Sequence, residues 1–324
     1  MKTLSLNRIE TRNFLRRYGT VIGAVCLFLF FSIASEHFLA SRNLLLVLRQ
    51  MSMLTIISLG FTFVMAAGGF DMSIAGAIGL VNIVFALTLA ATGSILLAVL
   101  VALLVGMLIG SINGFLVAYV GLPDFIGTFA MGSILYGVKM LATRGNPVFI
   151  DDPSRAFLFI GQGHVGPIPF PVILMFFFVA VAVFVLGKTQ LGRRVYAIGG
   201  NSVAAMYAGI NVKKYRLLTF VISGLSVALA SVILTSRLGS GQPLAGGDFL
   251  LDAIAVVFLS TSMFGEGEPT ALGAFVGALI ISIMNNGLTM LNVPYYFQHI
   301  TKGGIVIAAV LLSTLLGQKL RIKF

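Results

Sequence analysis

Long apolar stretches separated by short polar connections run from residue 19 to residue 317 of the chain. An α-helix needs about 20 mostly apolar residues to cross the hydrocarbon core of a bilayer, so this pattern predicts about ten membrane helices. The predicted helices cover residues 19–36, 44–67, 72–92, 95–120, 124–142, 169–187, 217–236, 249–264, 271–291 and 300–317. The sequence therefore predicts an all-α, polytopic protein with one transmembrane domain at 19–317.

The composition fits a membrane protein and not a soluble domain. Apolar residues make up 58% of the chain and charged residues only 10%, with a mean hydropathy of +1.05. Soluble domains carry about 25% charged residues. The single cysteine, Cys26, lies in the first apolar stretch, which excludes a disulfide framework and a cysteine metal site.

Basic residues are concentrated in three parts of the chain, and this predicts the orientation. If the N-terminus is cytoplasmic, the cytoplasmic parts (the tail 1–18, the connection 188–216 and the tail 318–324) hold 14 of the 21 Lys and Arg residues. Connections rich in Lys and Arg stay on the cytoplasmic side during insertion. Both termini are therefore predicted to be cytoplasmic. The net charge of +11 then reports topology, and nucleic-acid binding is not expected.

The connection 188–216 is the one long, strongly basic loop of the chain. Asn201 or Ser202 is a helix N-cap candidate, a run of small residues follows, and Gly209 supplies a stop, so the loop is predicted to hold a short exposed helix. Such a helix is suited to dock into a cytoplasmic partner, while Arg193 and Arg194 are interpreted as topology anchors. The predicted docking residues are Gly199, Gly200, Asn201, Ala204, Ala205, Ala208 and Gly209.

Glycine patterns predict both packing and an internal repeat. The stretches 68–77 and 265–274 align without gaps, each with glycines, an acid, a hydroxyl residue and a small-residue helix start. Chance similarity and two weakly repeated halves with broken helices, as in many transporters, are both open interpretations. The segments 66–75 and 260–270 are accordingly either plain turns or re-entrant. Close helix packing is predicted by glycine spacing at Gly106, Gly110, Gly114, Gly273 and Gly277.

Polar side chains within the apolar segments have two interpretations. Amides in hydrocarbon must find partners, so they make helix–helix hydrogen bonds or line a solute path. Carboxylates at span ends either interact with helix N-termini or line the same path. The predicted path residues, including two aromatic side chains, are Phe70, Asp71, Ser73, Asn113, Phe125, Asn285 and Asn286. Glu268 is a further carboxylate at a predicted span end.

Three further polar residues are placed near a predicted external mouth. Asp248 and Asp252 are four residues apart, which puts them on one face of the eighth helix. Arg237 precedes the short connection LGSGQPLAGG that leads to this helix, so it is a candidate partner for either carboxylate. Asp252 lies deeper in the segment than Asp248, where a carboxylate is costly without a partner.

The chain carries no catalytic or nucleotide-binding motif. GxxxxGK[ST], HExxH and GxSxG are all absent from the sequence. No enzyme activity, no cofactor and no metal are therefore expected. If transport uses nucleotide energy, a separate polypeptide must bind the ATP.

Several blocks together resemble one protein family. GGFDMSIAG, PDFIGTFAM with TRGNPV, LGRRVYAIGGNSVAAMYAGINVKK, LDAIAVV and NNGLTMLNVPYYFQHITKGG occur in that order. In order and spacing they resemble the integral-membrane permease of bacterial ribose-type sugar ABC importers, from about residue 40 to residue 312. The resemblance implies three partners: a cytoplasmic ATP-binding subunit that meets the loop 188–216, a second permease copy, and a periplasmic sugar-binding protein.

The expected function is import of a monosaccharide or similar polyol-like solute across the bacterial inner membrane. Arg237, Asp248 and Asp252 are then expected to dock the binding protein or to form an external gate. An ion-coupled secondary transporter that uses Asp71, Asp252 or Glu268, and a membrane-embedded enzyme, are the alternatives. The sugar, the choice between homodimer and heterodimer, and the resting conformation stay open.

Overall fold

The computed structural model describes residues 22–263 and 267–315. The helices within this part of the chain are α1 (Ile22–Ala34), α2 (Ser41–Ala66), α3 (Ile74–Thr92), α4 (Ile95–Phe115, extended by a π-helical segment, Leu116–Val120), α5 (Asp124–Thr143), α6 (Arg155–Gln162), α7 (Phe170–Lys188), α8 (Gln190–Gly200), α9 (Ser202–Tyr207), α10 (Val212–Leu238), α11 (Gly247–Ser262), α12 (Ala271–Met290) and α13 (Tyr295–Leu315). The all-α prediction is confirmed.

Seven of these helices are long and apolar enough to cross a membrane: α2, α3, α4 with its π-helical segment, α5, α7, α10 and α12. Helix α1 is shorter, α11 has only 16 residues, and α13 is not among the seven. The count of ten spans therefore stays a prediction. The predicted tails at 1–18 and 318–324 lie outside the described residues.

Four strands of two residues each lie in the connections. Strand β1 (Val148–Phe149) pairs antiparallel with β4 (Ser240–Gly241), and β2 (His164–Val165) pairs antiparallel with β3 (Ile168–Pro169). The first pair ties the connection after α5 to the one after α10. These pairs hold loops together and do not change the helical architecture.

Helix α10 is at the centre of the bundle and packs against α2, α3, α4 and α6. Its contact with α4 is backbone to backbone, because Gly106 lies against Gly224 and Gly110 lies against the Phe220 carbonyl. A Cβ at Gly114 would lie 2.8 Å from the Leu217 Cα. The predicted packing role of this glycine stripe is confirmed.

Residues 67–73, between α2 and α3, are not helical and are mostly buried. Gly68 has a φ of +73°, which turns the chain at the end of α2. Asp71 accepts a hydrogen bond from Ser223, which lies near the middle of the long helix α10. The connection therefore returns into the bundle before α3 begins, so the segment 66–75 is not a plain surface turn.

The connection after α10 also enters the bundle, whereas the sequence suggested a short external loop. Gly241 packs against Ala86 of α3, and Gly246 lies against the carbonyl of Ala75 at the other end of α3. Small residues allow this close approach, since a Cβ at Gly246 would overlap the Ala75 backbone. Helix α11 thus begins beside the N-terminus of α3.

The repeat of two halves is not confirmed. The aligned residues Ser73 and Thr270 do occupy equivalent places, as the N-cap residues of α3 and α12. The aligned acids differ, because Asp71 is buried whereas Glu268 is only partly buried. Gly265 of the second stretch lies outside the described residues.

Candidate functional site

The basic loop folds into two helices, α8 and α9, where the sequence predicted one. Helix α8 buries Val195 and Ile198, and Gly199 packs against the Ala66 carbonyl at the end of α2. Tyr196 donates a hydrogen bond of 2.9 Å to the carbonyl of Pro269, just before α12. Helix α8 is therefore fixed to the ends of two membrane helices. We call this end of the bundle, which carries α8 and α9, the loop end.

Helix α9 is capped where the sequence predicted. The side chain of Asn201 accepts hydrogen bonds of 3.1 Å from the backbone N–H groups of Val203 and Ala204. Gly209 has a φ of +81° and ends the helical region, a conformation that other residues adopt only with strain. Of the two predicted N-cap candidates the structure has Asn201 as the cap, and the predicted stop at Gly209 is confirmed.

The exposed face of α9 is apolar. Val203, Met206 and Tyr207 are 51%, 55% and 83% exposed, and no signal in the sequence analysis singled them out. Among the predicted docking residues Ala204 and Ala208 are exposed, whereas Ala205 is buried and supports the helix from below. An exposed apolar face on a short, firmly held helix is a typical protein-docking surface.

The two arginines of the loop contact this chain itself. Arg193 donates a hydrogen bond of 3.2 Å to the carbonyl of Lys188, the last residue of α7. Arg194 donates to the hydroxyl of Tyr215 and lies over its ring, with 5.3 Å from Cζ to the ring centroid. Both contacts hold α8 against the neighbouring helices.

An ion pair that the sequence analysis did not identify joins α10 to α5 at the loop end. Arg216, near the start of α10, donates to both carboxylate oxygens of Asp124, each at 2.6 Å. Asp124 also accepts a 3.1 Å hydrogen bond from the backbone of Phe70. The ion pair therefore links the region of α9 to the non-helical connection 67–73.

Four polar side chains meet at this connection, deep in the bundle. Asp71 Oδ1 accepts hydrogen bonds from the Ser73 hydroxyl at 2.6 Å and the Ser73 backbone at 3.0 Å, and its Oδ2 accepts from Ser223 at 2.9 Å. Asn113 donates to the Ser73 hydroxyl at 2.8 Å. The structure thus brings together three predicted path residues, with Ser223 as a fourth member. Asp71 has no cationic partner among the described residues.

The two aromatic path candidates lie next to each other. The rings of Phe70 and Phe125 are 6.4 Å apart between centroids, and Phe61 packs edge-on against Phe70 at 5.3 Å. Phe125 is 47% exposed, whereas Phe61 is fully buried. The pair therefore spans from the interior to the surface of the bundle near the N-terminus of α5.

The adjacent amides Asn285 and Asn286 have different surroundings. Asn286 and Asn43 of α2 exchange two hydrogen bonds, at 2.9 and 3.0 Å, in the buried interface between α12 and α2. This geometry corresponds to the helix–helix interpretation. Asn285 instead donates to Asp252 at 3.0 Å. Neither amide contacts the group around Asp71.

A polar cavity of about 330 Å³ lies towards the end of the bundle opposite the loop end. Its most buried charges are Asp252 and Lys302, which form an ion pair at 3.0 Å with both side chains less than a tenth exposed. The side-chain amide of Asn285 contacts the Asp252 carboxylate in this cavity. Its own oxygen, Asn285 Oδ1, accepts no hydrogen bond from the described residues. The other polar lining residues are Gln50, Arg237, Asp248, Ser282, Asn286, Thr289 and Gln298.

The partner of Asp252 is therefore Lys302, where the sequence suggested Arg237. No signal in the sequence pointed to Lys302 as this partner. Asp248, at the rim of the cavity, lies 3.5 Å from His299, and both side chains are more than half exposed. Arg237 lines the same cavity without an ion pair to either aspartate among the described residues.

No group of three or more metal-ligating side chains occurs within residues 22–263 and 267–315. The described polar contacts lie at three levels: the loop end, the buried group around Asp71, and the polar cavity around Asp252. Such an arrangement suits the passage and gating of a polar solute and the docking of protein partners.

Comparisons with known proteins show similarity to transport permeases. The family described as the permease component of the branched-chain amino acid transport system matches residues 43–312. The chain is 38% identical over 315 residues to the ribose import permease protein of Haemophilus influenzae, covering 97% of this chain and 98% of that protein. It is 36% identical over 304 residues to the D-allose transport system permease protein of Escherichia coli, covering 93% of each. No solved structure matches the chain.

Proposed function

The chain belongs to this permease family, as a ribose-type sugar permease of the ABC importers, and from that premise we propose how it works with its partners. It is the transmembrane subunit of an ATP-driven importer of a monosaccharide or similar polyol-like solute. The observation that carries the proposal is similarity to sugar permeases over nearly the whole chain. Its family is one of transport permeases and not of enzymes. With seven helices suited to cross a membrane within the described part of the chain, it is a multi-pass inner-membrane protein.

A separate ATP-binding subunit docks on α9 in this proposal. The support is the apolar face formed by Val203, Ala204, Met206, Tyr207 and Ala208, which no residue of the described chain covers. The loop end is then cytoplasmic, and so are both termini, in keeping with the distribution of Lys and Arg. The sequence provides no ATP site of its own, so the permease binds no cofactor.

Movement of α9 reaches the interior through direct contacts. When the ATP-binding subunits close, they push α8 and α9, which are held to α10 by the contact between Arg194 and Tyr215. The pair of Arg216 and Asp124 carries the movement to α5 and to the connection at Asp71. A rigid-body shift of this kind switches the path between outward and inward access.

The polar cavity around Asp252 is the external entrance in this proposal. A periplasmic sugar-binding protein delivers the solute there, and Arg237, Asp248 and Asp252 dock that protein or gate the entrance. The support is the cavity itself, which places two carboxylates, two cations and several amides on one concave surface. The buried pair of Asp252 and Lys302 is suited to gating, because opening it requires that both charges find new partners.

A second permease copy, identical or diverged, completes the path. Helix α5 is mostly exposed, and it presents Phe125, Phe129 and Tyr136 at its surface. Lipid covers the remaining apolar surface. A path between two copies would explain why the predicted path residues of one chain lie in separate groups.

Uptake by the complete transporter tests the proposal. The permease, the ATP-binding subunit and the binding protein are reconstituted in proteoliposomes, with D-ribose, D-allose and D-xylose as probes. Uptake of at least one sugar should require ATP and both partners, and it should survive collapse of the proton gradient. Permease alone should hydrolyse no ATP.

Ion coupling is the second candidate, and one observation favours it: the buried Asp71 has no cationic partner among the described residues. Intramembrane carboxylates of this kind serve as coupling sites in secondary transporters. Uptake that stops with an uncoupler while ATP is held constant would support this candidate and contradict the ATP-driven importer.

A further inference from the structure

Lys139 is a buried cation in the membrane helix α5. It is the only basic residue of that helix and is only 3% exposed. The structure gives its ammonium group no hydrogen bond and no ion pair within residues 22–263 and 267–315. Its described polar contact is with the ring of Tyr136, 4.9 Å from Nζ to the centroid. Burying an ammonium group without a counter-charge is costly, so its presence requires an explanation.

The neighbouring helix provides room for this ammonium group. A Cβ at Gly79 of α3 would lie 2.5 Å from Lys139 Nζ and 2.8 Å from the carbonyl of Pro243. Any larger residue at position 79 would therefore displace the lysine. Because a lysine near a helix end often extends to the bilayer surface, this inward position against Gly79 is the informative observation.

The ammonium group borders a cavity of about 350 Å³, a size typical of small-molecule sites. The cavity lies between α3, α5 and the start of α11, and no carboxylate is among its lining residues. Its walls are mostly apolar, with the hydroxyls of Ser133 and Tyr136 as further polar groups. Few polar groups on an apolar wall are typical of sites that orient a small ligand.

The polar and aromatic residues of α5 that line the cavity form one stripe. Phe129, Ser133, Tyr136 and Lys139 follow one another at spacings of three or four residues, so they share a helix face. The aromatic rings offer flat apolar surfaces that match the C–H face of a sugar ring. The ammonium group offers three donors, and sugar hydroxyl oxygens can accept from them.

We propose that Lys139, with Tyr136 and Ser133, forms a solute-binding site on the path. The site binds a neutral, hydroxyl-rich solute the size of a monosaccharide. This proposal rests on the proposed function and adds a site to it. The solute hydroxyls provide the hydrogen-bond acceptors that the described residues do not. The contact is transient, because one ammonium group and two hydroxyls hold a solute only weakly, and weak binding permits release.

The test separates solute contact from assembly by measuring two activities of the complete reconstituted transporter. The first is D-ribose uptake, and the second is ATP hydrolysis stimulated by the loaded binding protein. Lys139→Met should lower uptake about tenfold, as expected for the loss of a charged hydrogen-bond donor, while hydrolysis and complex assembly stay unchanged. Lys139→Arg should restore part of the uptake. Arg144→Met is the matched control, an exposed cation just beyond α5, and it should change neither activity.

Wild-type uptake by Lys139→Met would overturn the proposal. So would equal loss of uptake, hydrolysis and thermal stability, because that result means a structural role. If the wild-type complex imports none of D-ribose, D-allose and D-xylose with ATP, the proposed function itself is contradicted, and the solute-binding site at Lys139 is contradicted with it.

A labelling experiment tests contact directly. Cys26, the single cysteine, is replaced by serine, and Ser133→Cys is introduced as a reporter in the cavity. D-Ribose should slow its modification by a small methanethiosulfonate reagent when Lys139 is present, and less so in Lys139→Met. Equal modification rates with and without sugar in both backgrounds would contradict the proposal.

Discussion

Arg216 donates hydrogen bonds of 2.6 Å to both carboxylate oxygens of Asp124, directly beside the loop helices α8 and α9. The two side chains are 24% and 11% exposed, so solvent screens the pair only in part. Because Asp124 also accepts from the backbone of Phe70, the ion pair connects three segments of the chain. This connection is one described route from the loop end to the buried group around Asp71.

Arg216→Met should uncouple ATP hydrolysis from transport. The substitution leaves Asp124 without its cation, and loss of hydrogen bonds to a charged group costs about 1.5–3 kcal/mol. We expect the ATP-binding subunit to remain bound and to hydrolyse ATP, while sugar uptake per ATP falls about tenfold, equivalent to about 1.4 kcal/mol. Uptake and hydrolysis measured in the same proteoliposomes check this.

Lys214→Met serves as its control, because Lys214 is exposed and lies in the same helical turn. It should leave the ratio of uptake to hydrolysis unchanged. An unchanged ratio in Arg216→Met as well would show that the ion pair does not transmit the movement.

Charges on opposite faces of α9 should have different effects. Ala204→Glu places a carboxylate on the exposed apolar face and should release the ATP-binding subunit from a normally folded permease. Ala205→Glu buries a charge and should instead destabilise the loop itself, with a lower thermal unfolding temperature. Co-purification and thermal unfolding of the two variants distinguish these effects.

Gly209→Asp tests the end of α9. The residue has a φ of +81°, where a side chain costs about 1–2 kcal/mol, and the added charge lies beside the docking face. Reduced association of the ATP-binding subunit is expected, and Ala204→Ser is a neutral control. Full assembly and wild-type transport by Ala204→Glu and Gly209→Asp would rule out α9 as the docking element.

Asp252→Asn should impair uptake more than Asp248→Asn. Asp252 is paired with Lys302 in a buried position, and removal of one partner of such a pair costs about 3–5 kcal/mol. Asp248 and His299 are exposed, and such pairs contribute about 0–1 kcal/mol. Uptake is measured over a range of binding-protein concentrations at matched membrane expression.

The double variant Asp252→Asn, Lys302→Gln controls for an unpaired charge. It should lose less than the sum of the two single variants, because the partners are removed together. Equal, near-wild-type uptake by both aspartate variants would remove these carboxylates from docking and gating.

Asn286 should matter for stability and Asn285 for transport. Asn286→Leu removes both hydrogen bonds between Asn286 and the buried amide of Asn43, which keeps only its bond to the Phe38 carbonyl; this loss costs about 1–3 kcal/mol of stability. The double variant Asn43→Leu, Asn286→Leu should recover part of that loss, since only the Phe38 carbonyl then loses a donor. Asn285→Leu should lower uptake through its contact with Asp252.

Thermal unfolding and uptake per folded molecule separate the two residues. If Asn286→Leu keeps its stability but loses uptake, Asn286 belongs to the solute path and not to the interface of α2 and α12.

Local signals in the sequence predicted the local features of the fold. Apolar length identified the long helices, and the residue order around Asn201 and Gly209 predicted both ends of α9. Helix α8 was missed because Arg193 and Arg194 interrupt its apolar pattern, although Val195 and Ile198 form a buried face. A charged stretch of this kind resembles a loop until its partner helices are known.

Long-range partners were not predictable in the same way. Asp124 and Arg216 are 92 positions apart, and no signal in the sequence joins them. Asn285 and Asn286 are neighbours in sequence, but successive helix residues point about 100° apart. One therefore contacts α11 and the other α2, a difference that only the helix packing decides.

The glycine interface between α4 and α10 restricts which parts of the molecule can move. No side-chain layer separates the two backbones at Gly106 and Gly224, so there is nothing that can repack to let one helix slide along the other. We expect the two helices to shift as a single block during transport. Bending is then left to the joints at its ends, where Gly121 and Gly239 have positive φ angles and open space around them.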